Sequence, residues 1–565
     1  MRFPFALSAV SAMLAVAFAN AQTGEPQKPA AQTEQAKPAA QPAIPEMPAD
    51  SKAFTDASRI MDPEKKIAAL EQWKKDYPNS STLASADELI LSTLVTRMPE
   101  QKARILKLAK STYQDAKPEN RSAVANRVAD TLLENNAFLK DAEHYAKISV
   151  SSLTQAKYLE AEHKRYAGRK SKPPTDEEIL KRFREVRATR IATLGQVYFK
   201  MGRTDKARPL LQESYGVVQE QMVVAAALGD MAWKAGDEAK ALDYLMPAEL
   251  SGRPGAIAIA GPDLEAIYRK QHAGSLDGFD AMLDAEYRKR FPNPVPVTAY
   301  KPGEKRSDRL VLAEVFTGAG CPPCVGADVA FDAALERYSR KDLAVVMYHV
   351  HVPQPDPMTT VETPDLSKAY AVRGVPTYFI DGKTIGGGGG SRDYAKTVYG
   401  RFNPAIEKDL ETPAEAKIAA SATLEGNTVQ VKATVNDVKT DAKDLKVVAL
   451  LIEKQIRYTG ENGVRFHPMV VRAVATRELS GGDFSPAFDL DAVSASLKKS
   501  LDEYEAKGHR GNVFKFREKK YQIDRGKLAV VVFVKNGKDQ HVLQAAYIDL
   551  RPAGPETRIT DSGAK

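Results

Sequence analysis

Cys321 and Cys324 are the residues whose type and spacing point most directly to chemistry, because the chain has no other cysteine. A disulfide between them would close a very small loop and add little stability to 565 residues. Pro322 and Pro323 fit the first turn of a helix, where the first sulfur lies near N–H groups that stabilise a thiolate. The pattern predicts thiol–disulfide exchange, with Cys321 as nucleophile and Cys324 as resolving thiol.

Such a pair needs strands and helices to hold it, and the surrounding sequence predicts them. The expected elements are strands at 310–316, 343–350 and 377–380, a helix from the cysteines to 338, and a closing helix at 393–402. We therefore expect a mixed α/β domain over 306–410 that carries the cysteine pair at the start of its first helix.

The segment 306–410 resembles the thioredoxin fold, and a second motif supports the resemblance. Residues 373–377, Arg-Gly-Val-Pro-Thr, are similar to the cis-proline loop that faces the active-site cysteines in that family. The resemblance implies a cis peptide before Pro376, which would shape the substrate groove, and a backbone at Val375 that holds an extended substrate. It implies that the neighbouring Gly374 and Thr377 also bind substrate.

Two departures from the family concern its tryptophan and its buried acid. Gly320 stands where thioredoxins usually carry tryptophan, and Val315 stands where they carry the acid. Glu314 is similar to the glutamate of exported thioredoxin-like proteins with Glu-Leu-Phe-Thr before the cysteines, which implies a catalytic proton acceptor whose pKa is raised by burial. The residues alone are also compatible with a carboxylate that faces solvent or pairs with a lysine, because alternation does not fix which sheet face it occupies.

Other polar or flexible segments near the cysteines favour structural roles. His349 and His351 share a strand face near Asp356, but two histidines without a third firm ligand are typical of ordinary strand residues rather than of a metal site. The insertion at 351–364 is placed to overhang the cysteines, and the glycine run at 386–390 predicts a mobile loop. No cofactor or metal is expected, because the cysteine pair is itself the redox couple.

The region 51–295 has the apolar spacing of helices, and part of it repeats. Two segments offset by 34 residues match at small and large positions, which are Leu194, Gly195, Tyr198, Gly202, Ala207 and Leu211 against Leu228, Gly229, Ala232, Gly236, Ala241 and Leu245. Residues 191–248 resemble the tetratricopeptide repeat, in which small residues lie where paired helices touch. Such repeats either present a surface to a protein partner or act as a spacer, and both alternatives stay open.

Beyond residue 411 the pattern changes to strands. The expected strands are 429–435, 445–452, 528–534 and 542–550, with a hairpin turn at Asn536-Gly537 between the last two. We predict a β-sandwich of immunoglobulin-like size over 411–551, with His467 in a loop, and a polar tail at 552–565.

The first residues predict export. Arg2, a short apolar stretch and Ala-Asn-Ala at 19–21 have the form of a signal peptide over 1–21, and a proline-rich linker follows at 22–50. No later run has the length of a transmembrane helix, and no cysteine follows the signal for lipid attachment. A net charge of +8 is a weak excess, so no nucleic-acid partner is expected. The protein is predicted to be soluble and either periplasmic or otherwise exported.

The expected function is an exported thiol–disulfide oxidoreductase that acts on protein disulfides. A reductase-like pair is expected, because neither residue between the cysteines is a histidine that would further stabilise the thiolate. Its partners would be protein thiols and disulfides, a redox partner that recharges the cysteines, and a protein bound by the helical repeats. The alternative is a non-catalytic interaction scaffold with a permanent disulfide.

Overall fold

The computed structural model describes residues 47–169, 172–440 and 443–550. The predicted signal peptide, most of the predicted linker and the polar tail lie outside these residues. The chain forms two compact units that divide between Val224 and Ala225, with residues 510–512 belonging to the first. The sequence predicts a helical domain that ends at 295, so the last helices of that predicted domain belong to the second unit.

The described part of the first unit is helical. Its helices are α1 (Ala49–Ser58), α2 (Pro63–Asp76), α3 (Leu83–Arg97), α4 (Lys102–Gln114), α5 (Arg121–Leu133), α6 (Leu139–Ser152), α7 (Gln155–Tyr166), α8 (Asp176–Lys200) and α9 (Thr204–Val217). Where α8 meets α9, a Cβ atom at Gly195 would lie 2.6 Å from Cδ2 of Leu211. The absence of a side chain at Gly195 therefore lets the two helices approach closely.

The same contact recurs in the helices that follow. These are α10 (Met222–Lys234), α11 (Glu238–Leu250), α12 (Pro254–Gln271) and α13 (Phe279–Arg290). In the second unit, a Cβ atom at Gly229 would lie 2.6 Å from Cδ2 of Leu245. Both residues are 34 positions after their counterparts, so the repeat in the sequence corresponds to a repeated contact between helices.

The rest of the second unit is rich in sheet. Its strands are β1 (Val311–Thr317), β2 (Leu343–His349), β3 (Thr377–Ile380), β4 (Lys383–Gly387), β5 (Lys417–Glu425), β6 (Thr428–Asn436), β7 (Leu445–Arg457), β8 (Phe466–Glu478), β9 (Asp483–Phe484), β10 (Ala487–Asp489), β11 (Leu528–Asn536) and β12 (Val542–Asp549). Its further helices are α14 (Cys324–Arg337), α15 (Thr363–Ala369), α16 (Ala395–Leu410) and α17 (Leu490–Lys507). The protein is thus multidomain, with a helical region followed by a mixed, sheet-rich part.

Eight strands form one sheet in the order β12-β11-β7-β8-β2-β1-β3-β4. Strand β1 runs parallel to β2 and antiparallel to β3. Strand β2 joins β8 in parallel, where Met347 pairs with Val470. The sequence predicts a sandwich confined to 411–551. Strands from that range do pack on a second sheet, β10-β6-β5 with β9, but the larger sheet continues into β1–β4.

The two faces of the large sheet bury different residues of β1. Ala313 and Val315 pack on the side of α14 and α16, where the rings of Phe331 and Phe402 stack with centroids 4.1 Å apart. Leu312 and Phe316 belong to a second cluster on the other side, which also includes residues of β7 and β11. Among the described residues, no helix has the length and apolar character needed to cross a membrane.

Candidate functional site

The two cysteines form a disulfide in the turn that leads from β1 into α14. The N–H of Cys324 donates to the Cys321 carbonyl at 3.1 Å, and α14 begins at Cys324, with Pro323 as its N-cap. Pro322 and Pro323 thus precede the helix rather than form its first turn. Cys321 is 1% exposed and Cys324 is fully buried.

The predicted proline loop lies against the first cysteine. The Val375–Pro376 peptide is cis, and Cys321 Sγ lies 3.7 Å from the carbonyl oxygen of Val375. Thr377 opens β3, and its hydroxyl donates to the Gly374 carbonyl at 2.7 Å. The fold therefore brings together residues that are more than fifty positions apart in the chain.

The glycine run at 386–390 is packed against both motifs, and its first two residues belong to β4 rather than to the predicted loop. The N–H of Gly388 donates to the Pro376 carbonyl at 2.9 Å, and the N–H of Gly390 donates to the Pro323 carbonyl at 2.8 Å. Gly326 at the start of α14 donates in turn to the Gly390 carbonyl at 2.9 Å. These hydrogen bonds tie the cysteine turn to the proline loop.

The insertion at 351–364 covers the turn before the cysteines. A Cβ atom at Gly318 would lie 2.7 Å from the Val352 carbonyl oxygen, and one at Gly320 would lie 2.7 Å from Cβ of Gln354. The close packing leaves little room for a side chain at position 320, where thioredoxins usually carry tryptophan. The start of the insertion thus packs against the turn that leads to Cys321.

A loop between β7 and β8 also holds this turn, and the sequence gives no local sign of it. The side-chain amide of Asn462 lies 3.3 Å from the carbonyl oxygens of both Gly318 and Cys321, and its backbone N–H donates to the Ala319 carbonyl at 3.0 Å. A Cβ atom at Gly460 would lie 2.3 Å from the same Ala319 oxygen. A residue more than 130 positions away therefore fixes the turn around Cys321.

A buried pair of Asp356 and His349 also supports the turn. Asp356 accepts a hydrogen bond from the Ala319 N–H at 2.6 Å and lies 2.9 Å from Nδ1 of His349. Burial acts to raise the pKa of Asp356, but His349 and the backbone hydrogen bonds outweigh it and hold this pKa below its usual value. His351 accepts from the Asp356 N–H at 3.0 Å. These residues therefore have structural partners, and the described residues contain no cluster arranged for a metal ion.

The predicted positions of two histidines near this pair are wrong: His351 follows the end of β2 at His349 rather than sharing its strand face, and His467 is not in a loop. His467 lies within β8 and is buried, with its ring centroid 5.1 Å from that of His349. Burial lowers the pKa of His467 to about 3. Its Nε2 lies 2.9 Å from the Tyr458 carbonyl, so it packs as a neutral ring beneath the site.

Glu314 is fully buried but does not share a sheet face with α14. Its carboxylate accepts hydrogen bonds from Tyr348 at 3.0 Å and from Tyr370 at 2.8 Å, and Lys535 donates to the Tyr370 hydroxyl at 2.9 Å. Burial raises the pKa of Glu314, while Lys535 and the tyrosines act in the opposite direction. Because Val315 packs with α14, alternation directs Glu314 to the opposite face. This position does not favour proton transfer to the cysteines.

Comparisons with known proteins assign neither a family nor a function. No family model and no curated protein matches the chain. The structure is similar to HBP35 of Porphyromonas gingivalis over 46% of this chain and 82% of that one, with 16% identity and a TM-score of 0.29. At this TM-score the similarity carries no argument, so the functional conclusion depends on the site itself.

Proposed function

We propose that the protein is an exported thiol–disulfide oxidoreductase whose redox centre is the Cys321–Cys324 pair. The observation that carries the proposal is the position of Cys321 Sγ, 3.7 Å from the carbonyl of the residue before a cis-proline. An extended substrate that pairs with the backbone of Val375 would bring its own sulfur to Cys321. The resemblance of 306–410 to the thioredoxin fold supports this arrangement.

The reaction would be a two-step exchange. The Cys321 thiolate attacks a substrate disulfide, forms a mixed disulfide and releases one substrate thiolate. Cys324 then loses its proton and attacks Cys321 Sγ, which releases the second substrate thiolate, and both leaving thiolates take up protons. The substrate gains the two electrons that the cysteine pair loses, and a dithiol partner would return the pair to its reduced form.

The remaining segments would position this site and its partners. Pro376 would shape the substrate groove, with Gly374 and Thr377 at its edges, and the strands after residue 411 would brace the cysteine turn through Asn462. The helical repeats would hold a protein partner. In the periplasm or another exported location, protein disulfides would be available as substrates.

A second function, a scaffold with a permanent disulfide, is favoured by one observation. Cys321 is only 1% exposed, and a structural disulfide is expected to be this inaccessible. In the oxidoreductase, Cys321 Sγ would have to become accessible before a substrate sulfur reaches it.

A redox titration separates the two functions. The protein is equilibrated in graded thiol/disulfide buffers, and its free thiols are trapped and counted. A midpoint between about −270 and −120 mV supports the oxidoreductase, and a disulfide that persists well below about −300 mV supports the scaffold. Cys324→Ser supplies an independent readout, because it should accumulate mixed disulfides with exported proteins while the double variant Cys321→Ser/Cys324→Ser should not.

A further inference from the structure

A buried carboxyl group on α14 has an unused acceptor atom close to the cysteine pair. Asp328 is 4% exposed. Its Oδ1 accepts a hydrogen bond from the Thr317 hydroxyl at 2.7 Å, while Oδ2 is buried without a hydrogen-bond partner. An unpaired carboxylate oxygen in such a place is costly, so its retention calls for an explanation.

The spacing along the helix places this carboxyl group beside the resolving cysteine. Cys324 is the first residue of α14 and Asp328 follows four positions later, so both side chains lie on one face, with Cβ atoms about 5–6 Å apart. Both residues are buried. At this separation a carboxylate reaches the thiol directly or through one water molecule.

The groups around Asp328 leave it able to exchange a proton near neutral pH. Thr317 faces it from β1, His349 from β2, Asp356 from the insertion, and Asp332 lies one turn further along α14. Burial raises the pKa of Asp328 to about 6, with His349 and Thr317 acting to lower it and Asp356 to raise it.

We propose that Asp328 accepts the proton of the Cys324 thiol when Cys324 attacks the mixed disulfide. This proposal rests on the oxidoreductase function proposed above. The S–H bond of Cys324 breaks and its proton moves to Oδ2 of Asp328. The Cys324 sulfur then forms a bond with Cys321 Sγ as the bond from Cys321 to the substrate sulfur breaks. Asp328 afterwards releases the proton to solvent or to the departing thiolate.

A two-phase reaction with 5,5′-dithiobis(2-nitrobenzoate) tests this step in the reduced, full-length protein. Attack by Cys321 releases the first nitrothiolate, and resolution by Cys324 releases the second, so the slower phase reports resolution. In the unaltered protein the resolution rate should rise through a pH of about 6, as Asp328 ionises. In Asp328→Asn it should fall about 100-fold at neutral pH and recover above pH ~9, where the thiol ionises without help.

Two further variants keep the result interpretable. Thr317→Val removes a hydrogen bond that lowers the pKa of Asp328, so it should move the pH midpoint of resolution upward without removing the acid. Asp332→Asn removes the neighbouring carboxyl group and should leave both phases unchanged. If Asp328→Asn has an unchanged second phase, or a deficit that does not depend on pH, the proposal is wrong. Absence of any first phase in the unaltered protein would instead overturn the oxidoreductase function.

Discussion

Gly389 lies so close to Pro323 that a Cβ atom at position 389 would stand 1.9 Å from the Pro323 carbonyl oxygen. The same Cβ atom would lie 3.0 Å from Cγ of Pro376. No side chain fits between the cysteine turn and the proline loop at this point. The lack of a side chain at Gly389 thus allows the close approach of the cysteine turn and the proline loop.

Gly389→Ala should therefore destabilise the protein by about 1–3 kcal/mol, the usual cost of overpacking. Gly400→Ala is the matched control, because a Cβ atom at Gly400 in α16 meets nothing within 4 Å. The control should be neutral or stabilise by up to about 1 kcal/mol. Urea unfolding measures both changes. Equal stability of the two variants would show that the spacing between the motifs is not fixed by Gly389.

Asn462→Ala should make the disulfide easier to reach and to reduce. The variant loses the two hydrogen bonds that the Asn462 side-chain amide donates to the Gly318 and Cys321 carbonyls. It also loses the one that Asn462 Oδ1 accepts from the Val464 N–H. Asn536→Ala loses a comparable turn bond, which Asn536 Oδ1 accepts from the Lys538 N–H, but it lies in the β11–β12 hairpin, away from the cysteine turn. At about 1 kcal/mol of unfolding free energy per hydrogen bond, Asn462→Ala should cost up to about 3 kcal/mol and Asn536→Ala about 1 kcal/mol. Only Asn462→Ala should change the rate of reduction by dithiothreitol, and equal rates would contradict the bracing role.

Asp328 should make stability depend on pH. Burial raises its pKa from the ordinary 3.8 to about 6, so the fold favours the protonated form. This contribution is complete below pH 3.8 and is lost as the pH rises through 6. Asp328→Asn has no carboxyl group to ionise at this position, so it does not lose this stability as the pH rises. Its free energy of unfolding should equal that of the unaltered protein at pH ~4 and exceed it by up to about 3 kcal/mol at pH ~8. Urea unfolding at the two pH values checks this, and a constant difference would count against it.

Glu314→Gln should leave both phases of the nitrobenzoate reaction unchanged. The amide keeps an acceptor for Tyr348 and Tyr370, and the side chain lies on the sheet face opposite α14. Asp328→Asn, measured alongside, is the positive comparison. Slower resolution in Glu314→Gln, with recovery at high pH, would restore the role that the family resemblance implies for this glutamate.

The sequence predicts well the parts of the site that are encoded locally. The cysteine spacing, the strand before it and the Val-Pro motif each occupy a few adjacent residues, and the structure brings Cys321 and Val375 together. The burial of Glu314 also agrees with what the resemblance to exported thioredoxin-like proteins implies. The sheet face that the Glu314 side chain occupies could not be predicted, since a strand residue can point to either face until the neighbouring layers are known.

The residues that sequence reasoning missed act across long stretches of chain. Asn462 and Gly460 look like ordinary loop residues until β7 and β8 join the sheet beside β2. Asp328 looks like a helix residue with no special role, and only its burial reveals the unpaired oxygen. The glycine run predicts mobility by composition, whereas its hydrogen bonds go to two carbonyls that are distant in sequence.

The continuity of the eight-stranded sheet has a consequence for dissecting the chain. A fragment that ends at residue 410 would keep β1–β4 and α14, yet it would leave one edge of β2 without its neighbour β8 and uncover an apolar layer that normally packs on β7 and β11. An unpaired strand edge next to exposed apolar surface can pair with another copy of the chain and so promotes self-association. We therefore expect that the cysteine-bearing segment does not fold on its own, and that the disulfide turn unfolds together with the last strands in a single cooperative transition.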